Sequence, residues 1–589
     1  MDNDIYHLGA WFRQVRKDRG YTLTQVAGKN FSPAALSRFE RGETDIRGDH
    51  LTAIMLNLGI VGADLANYQR MNPYTFPRDA IDAMFAMDAD TLQQMRADYA
   101  VAHAKEEHNP LLPIVDEVLA MCALAPDADF RMPAATEQRL IELLAYPNTW
   151  GTFEYAVITG CLRFGSVDFI RAVWQYAQAI VGPNVLYKAI ATAWVLIYAN
   201  VRDVPDVAAA SAVVAQDLMQ DDEKTYYTAE NYPLLKFGLL VYEWNKKQTR
   251  AREAKVKAAI DGIRLLGSIR LSAYLATVWR LFTNGTTGWR QQLHVPDPNL
   301  ISVNDMSEGK KIALFRRIRG FSLNQAAVAW SKSSQLRVEN ENVTPGITNL
   351  MRSSALLLMD YSNISIINSD INLLYDYMDE IHDFALRFAL INERVNRVRT
   401  ILERLADKIT SPFIDDLRDE FEYAVSLLAG NAVNTALENR YYKRICKINA
   451  IHTIDVNVAV ILYEPNHGSG RFPLILDALQ RIDAAGYTKM YMINQLVIPL
   501  ADSVVHTHDL TNGQRLVDFL AKLTDLPSPT MGNRTLMLAK LMADALLDPT
   551  RLTTQQYAEY LRADAKYTMP LQRVNMPGVF SLIPGALPE

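Results

Sequence analysis

The sequence predicts an all-α chain: a helix-turn-helix module followed by a TPR-like α-solenoid, with that unit repeated twice. Three observations carry the expectation. First, Arg19-Gly20-Tyr21-Thr22-Leu23-Thr24-Gln25-Val26-Ala27 recurs as Arg319-Gly320-Phe321-Ser322-Leu323-Asn324-Gln325-Ala326-Ala327. Each copy is followed by a serine-led helix with an Arg-x-Glu, Arg38-Phe39-Glu40 and Arg337-Val338-Glu339. Second, apolar residues recur at helical spacing, as in Val167-Phe169-Ile170-Val173-Trp174-Ala177 and Ile475-Ala478-Leu479-Ile482, while alternating strand patterns are scarce. Third, the breaks are short, at Asn72-Pro73, Tyr146-Pro147, Gly182-Pro183-Asn184, Val204-Pro205-Asp206 and Tyr232-Pro233. Tight loops between helices of about 12 to 20 residues predict serial helical pairs.

The first module occupies 1–68. Thr22 and Gln25 form a capping box, with Gln25 at a positive helix N-terminus that suits a phosphate. Ser32 caps the next helix and Pro33 sits in its first turn, where no amide partner is needed. Leu36 and Phe39 face inward, leaving Ser37, Arg38 and Arg41 outward, and Gly42 permits a left-handed stop. The module is locally basic, with Arg13, Arg16, Lys17, Arg19, Lys29, Arg38 and Arg41 against Asp18 and Glu40, although the whole chain carries a net charge of −6. Two short helices, the second capped and basic, match a recognition-helix arrangement for DNA.

A helical region follows over 75–291. Then comes Gln292-Leu293-His294-Val295-Pro296-Asp297-Pro298-Asn299-Leu300, whose prolines disfavour helix and predict an extended spacer. The second module, 303–362, keeps a polar start, Ser331-Lys332-Ser333-Ser334-Gln335, but its inward leucine is displaced by one and Asn340-Glu341 replaces Arg41-Gly42. These changes remove a phosphate contact and predict a structural or dimer-mimicking relic. A second helical region spans 366–575. An echo of Phe153-Glu154-Tyr155-Ala156-Val157 in Phe421-Glu422-Tyr423-Ala424-Val425, only 268 positions later, implies a helical hairpin extra in the first half or missing from the second. The tail beyond Met576 lacks helical periodicity.

The string from Leu8 to Ile60 resembles the Rgg family of Gram-positive transcriptional regulators, and Trp150-x-x-Phe153-Glu154-Tyr155 is similar to that family's aromatic-glutamate segment. The resemblance implies a dimeric regulator with an N-terminal DNA-binding module and a TPR-like domain that holds a short signalling peptide. It also implies an internal Arg16–Glu40 pair, matched by Arg316 and Glu339 in the second module. Pro33-Ala34-Ala35 departs from the polar residues usual there and removes side-chain hydrogen bonds to base edges.

These readings name Arg13, Lys17, Thr24, Gln25, Ser32, Pro33, Ala34, Ser37, Arg38 and Arg41 as candidate DNA contacts. Trp150, Tyr155, Asn200, Tyr226, Tyr227, Asn231 and Tyr232 are candidates for a peptide groove, since aromatics and asparagines suit an extended ligand. The competing reading for each is that aromatics at helical spacing fill the inter-helix core.

Enzyme chemistry finds no support. His103 and His108 miss the i, i+4 spacing of a helical metal site, and His506-Thr507-His508-Asp509 reads better as a helix boundary. There is no Walker A string, Gly-x-Ser-x-Gly or Cys-x-x-Cys, and Gly468-Ser469-Gly470 reads as a turn. Neither a cofactor nor a metal is expected. Cys122, Cys161 and Cys446 lie far apart and suit a reducing, cytoplasmic setting, with no membrane segment or secretory signal expected. The expected partners are double-stranded DNA, optionally a short peptide, and either self-association or an intramolecular pseudo-dimer. Two alternatives stand beside this: a helical interaction scaffold that no longer binds DNA, and a repressor that needs no peptide.

Overall fold

The computed structural model describes residues 8–29, 31–67, 76–103, 109–180, 185–220, 231–285, 288–303, 306–327, 330–340, 343, 345–359, 369–387, 392–429, 436, 439–440, 443, 445–446, 451–456, 472–482, 486–523 and 533–567. Among them the chain is all-α, and its only β pairings are two isolated bridges. No helix among them is long and apolar enough to cross a membrane.

The first head comprises Leu8–Asp18 (α1), Leu23–Ala27 (α2), Pro33–Glu40 (α3), Gly48–Leu58 (α4) and Gly62–Asn67 (α5). A helical body follows: Phe76–Phe85 (α6), Ala89–Ala102 (α7), Leu111–Ala123 (α8), Ala134–Leu144 (α9), Thr152–Cys161 (α10), Val167–Gln178 (α11), Val185–Val201 (α12), Pro205–Gln220 (α13), Tyr232–Lys246 (α14), Arg250–Leu265 (α15) and Ile269–Thr283 (α16). Glu308–Ile318 (α17), Leu323–Ala326 (α18), Lys332–Asn340 (α19) and Ile347–Leu356 (α20) form the second head. The second body contains Ser369–Arg387 (α21), Asn392–Ala406 (α22), Phe413–Leu428 (α23), Phe472–Gln480 (α24), Gly486–His506 (α25), Leu510–Ala521 (α26), Asn533–Leu547 (α27) and Arg551–Tyr567 (α28).

The first periodic segment folds as its spacing predicts; in the second, Ile475, Ala478 and Leu479 lie in α24, which ends at Gln480, and Ile482 forms an isolated bridge with Ile451. α11 buries Val167, Phe169, Ile170, Val173, Trp174 and Ala177, and Ser166 caps it by accepting from the Phe169 amide. His506 ends α25, His508 adopts a left-handed φ of 55°, and Asp509 caps α26, so that quartet is a helix boundary. The tail beyond Met576 and Gly468-Ser469-Gly470 lie outside the described residues.

The stretch 292–300 is extended, as its prolines require, but it is not a loose spacer. The Val167 amide donates to the Trp289 carbonyl, and the Gln291 amide donates to Asp168 at 3.0 Å. Gln138 and His294 exchange two hydrogen bonds, Tyr176 Oη donates to the Pro296 carbonyl, and the Asn299 amide donates to the Ala145 carbonyl at 2.7 Å. The guanidinium groups of Arg131 and Arg202 lie over the Trp289 ring, at 5.2 and 4.5 Å from its centre. Chain lacking helical hydrogen bonds must satisfy its backbone elsewhere, and here the first body supplies the partners.

This strap leads the second head onto the first body. The first head sits on the second body, with α4 packed against α21 and α23. The heads are therefore exchanged relative to the bodies that follow them in sequence.

Candidate nucleic-acid interface

Each head is assembled by the same local chemistry. Thr22 and Gln25 make a reciprocal capping box, and Ser322 and Gln325 repeat it. The Arg16 guanidinium grips Glu40 through two bonds of 2.6 and 2.7 Å and donates to the Tyr21 carbonyl. Arg316 does the same with Glu339 and the Phe321 carbonyl. Gly9 lies so near the Phe39 carbonyl that a Cβ would stand 1.9 Å from its oxygen, and Gly309 has the same closeness to Val338. Gly20 and Gly320 take left-handed φ values of 73° and 77°.

The second head also resolves its displaced leucine. Gln335 is fully buried where Leu36 sits in the first head. Its Nε2 donates to Glu339 at 2.7 Å and its Oε1 accepts from the Trp330 indole N–H. A buried amide is tolerated when its donors and acceptors are met, so this head keeps its core with an amide in place of a leucine. Leu336 then comes to the surface, 45% exposed.

On the first head, Arg13, Lys17, Thr24, Ser32, Ala34, Arg38 and Arg41 are exposed, whereas Gln25, Pro33 and Ser37 are half-buried. Ser32 caps α3 by accepting from the Ala35 amide at 3.1 Å, and Gly42 ends the helix with φ 74°. Two details alter the expected surface. Gln25 Oε1 is held by the Thr22 amide and hydroxyl. The Arg41 guanidinium is paired with Glu43 at 2.6 and 2.9 Å and bonded to Ser37 at 2.5 Å. That pairing holds the Glu43 carboxyl below its usual range. Of the seven basic residues counted in this head, Arg16 and Arg19 are turned into ion pairs and add nothing to its outer face.

Arg19 leads to the contact that sequence reading missed. Its guanidinium meets Asp455 of the second body at 3.0 and 3.2 Å, with both side chains almost wholly buried. The counterpart Arg319 meets Glu154 of the first body at 2.5 Å, equally buried, and lies over the Phe153 ring. Both acids cap the helix that carries them: the Gly151 amide donates to Glu154 and the His452 amide to Asp455. Gly151-Thr152-Phe153-Glu154 thus contacts one head as His452-Thr453-Ile454-Asp455, 301 positions on, contacts the other. The Phe421-Glu422-Tyr423 echo is not its equivalent, because Glu422 faces out to Arg399 on a different helix. The expected missing hairpin therefore has no basis in that echo.

Further polar contacts fasten the first head. Asn57 donates to the Val26 carbonyl and accepts from the Thr410 and Ser411 amides at 2.7 and 3.1 Å. Asp64 accepts from the Thr453 amide and hydroxyl.

The heads also touch one another. Arg47 and Gly346, the residues preceding α4 and α20, form an antiparallel bridge, and the Ile347 amide donates to the Ile46 carbonyl at 2.8 Å. Asp45 accepts from the Thr348 amide and hydroxyl. Arg47 and Gly346 hold matching places, each directly before its head's fourth helix, and their bridge runs antiparallel.

Of the residues expected in a peptide groove, Trp150, Asn200 and Asn231 are 1%, 2% and 5% exposed. The Trp150 indole donates to the Leu144 carbonyl, and Asn200 is bonded to Leu196 and Asn245. Tyr155 and Tyr232 are half-buried, and Tyr226 and Tyr227 lie outside the described residues. A groove of about 690 Å³ does lie between α21 and α22, lined by Asp376, Glu380, Arg397 and Arg404 among others. It contains none of the expected residues. No group of three or more potential metal ligands occurs among the described residues.

No family model matches the chain, and no curated protein matches it. Solved structures do match. The SHP pheromone receptor Rgg2 of Streptococcus dysgalactiae aligns with TM-score 0.36 and 16% identity, over 47% of this chain and 100% of that one. The competence regulator ComR from Streptococcus vestibularis, in complex with its cognate signaling peptide XIP, aligns with TM-score 0.26 and 10% identity, over 44% and 93%. Over a little under half its length this chain is similar in structure to Rgg and ComR regulators. Alignments this weak carry no argument about this chain.

Proposed function

We propose that the chain is a DNA-binding transcriptional regulator of Rgg type, with no catalytic activity, in which two regulator-sized units have been joined in tandem. The observation that carries it is the first head. It is a helix-turn-helix with both short helices side-chain capped, in which Ser32, Ala34, Arg13, Lys17 and Arg38 are exposed. Arg13, Lys17, Arg38 and Arg41 hold phosphates, Thr24 and Gln25 lie at the backbone, and Ser32, Pro33, Ala34 and Ser37 meet the major groove. The tandem origin rests on the matching ion pairs, capping boxes and close-packed glycines of the two heads, and on the paired Glu154 and Asp455 clamps.

A short peptide bound by a helical body changes how the heads are presented. Such a signal works only if it binds two head arrangements unequally. The peptide surface includes Tyr155 and Tyr232, with Trp150, Asn200 and Asn231 shaping the wall behind them. Because the heads are exchanged, a signal bound to the first body acts directly on the second head through Glu154 and Arg319.

The test is fluorescence anisotropy on duplex DNA from the flanking region across a salt series, comparing the parent with Arg38→Ala/Arg41→Ala. Tight binding that weakens steeply with salt and is lost in the double variant supports the regulator. Weak binding indifferent to both would favour a second reading, a protein-interaction scaffold. The Arg41–Glu43 pair and the bland Pro33-Ala34-Ala35 turn speak for that reading. Binding unchanged by every peptide tried would instead indicate a peptide-independent repressor.

A further inference from the structure

We propose that the second head is itself a DNA-reading surface, so that one chain occupies one duplex bearing two unlike half-sites. This rests on the regulator reading above.

Three observations lead there. The second head retains a complete core despite its altered sequence, because Gln335 fills the leucine position with both ends of its amide bonded. Its outward helix then presents Ser331, Lys332, Ser333, Ser334, Leu336 and Arg337, all exposed. Ser331 caps that helix, accepting from the Ser334 amide at 3.2 Å.

The composition of this surface fits a major groove. Serine hydroxyls donate to or accept from base edges, and an exposed leucine matches a thymine methyl. Lys332 and Arg337 supply positive charge for the flanking phosphates. Leu336 stands where the first head has Ser37, and Lys332-Ser333-Ser334 where it has Pro33-Ala34-Ala35. The two heads thus carry different reading surfaces on the same frame. The second head lacks a counterpart of Arg41, so its hold on the backbone falls to Lys332 and Arg337.

Placement completes the argument. The antiparallel bridge between Arg47 and Gly346 holds the two heads side by side at the loops that follow their recognition helices, as two heads reading neighbouring half-sites of one duplex require. Ordinarily two identical chains supply such a pair of heads. Here one chain does, and its halves differ.

The experiment is selection of the full chain on a random-sequence duplex library, followed by native mass spectrometry of the selected complex. The expected result is one chain per duplex. The enriched sequence should contain two unlike blocks with centres about 10 base pairs apart or a multiple of that. Lys332→Ala/Arg337→Ala should weaken the second block alone and Arg38→Ala the first alone. Leu336→Ser should reduce discrimination for thymine at one position by about fivefold to tenfold. All these side chains are exposed, so the variants keep the fold. A single block indifferent to the second-head variants, or a palindrome bound by two chains, would overturn the proposal while leaving the regulator reading in place. No enriched sequence and no salt-sensitive binding would overturn both.

Discussion

Arg19 and Asp455 stand 436 positions apart in sequence and form a doubly bonded ion pair with 2% and 1% of their side chains exposed. The pair joins the first head to the far half of the chain. Arg319 and Glu154 form its counterpart in the opposite sense. An exposed pair would contribute little, whereas a buried one becomes costly once a single partner is removed.

Asp455→Ala should therefore destabilise the chain by about 3 to 5 kcal/mol, because it strands a guanidinium in the interior. Arg19→Met with Asp455→Leu should recover most of that loss. Urea unfolding of the three variants measures both effects. If Asp455→Ala costs no more than an exposed pair, the clamp is solvated and the argument for a fastened head fails.

Glu137 gives a pH-dependent contribution. It is fully buried, and burial pushes its carboxyl up to about 7 despite the donors of Ser166 at 2.6 Å. A carboxyl raised in the folded state stabilises it below the unfolded value near 4.5, and that contribution is lost as pH rises through about 7. Over this window Glu137→Gln should gain on the parent by about 3 kcal/mol. Equal pH slopes for parent and variant in denaturant titrations would contradict this.

Glu43→Gln should release Arg41 from its ion pair and remove a negative charge from the outer face of the first head. DNA affinity should rise several-fold, and the slope of log affinity against log salt should steepen by about one phosphate contact. Anisotropy in a salt series reads both quantities. An unchanged slope would mean that Arg41 never reaches a phosphate.

Gly59→Ala should loosen the first head from the second body. The glycine has φ 62°, and a Cβ would stand 2.3 Å from the Phe413 ring. Left-handed strain and overpacking together should cost about 2 to 4 kcal/mol. Hydrogen exchange should show faster opening in α1 to α5 than in α24 to α28. Uniform change across the chain would argue against a separable head contact.

Much of each head was legible in sequence, because capping boxes, left-handed glycines and inward apolar positions are local devices. Thr22 with Gln25, Ser32 before Pro33, and Gly42 all act within a few residues. The clamps were not legible in the same way, since nothing near Arg19 specifies a partner in the far half of the chain. One signal was present: Arg-Gly is retained in both heads, although only its glycine is needed for the turn. The echo at Phe421 misled because identical letters outweighed a chemically equivalent string, His452-Thr453-Ile454-Asp455, in which an aspartate does the work of Glu154. How the second head accommodates its displaced leucine was not legible, because a single sequence does not reveal that a buried Gln335 can bond Trp330 and Glu339.

The exchange of heads has a consequence during synthesis. Ribosomes add roughly 5 to 20 residues per second, so Arg19 emerges roughly 20 to 90 s before Asp455 exists. Throughout that interval the nascent first head lacks its docking platform, and the faces of Asn57 and Gly59 that will meet it stay uncovered. The second head has the opposite history, since Glu154 and the strap's anchoring helices are already made when Arg319 appears. The two heads thus reach their places by different routes, one waiting on translation and the other docking as it leaves the tunnel.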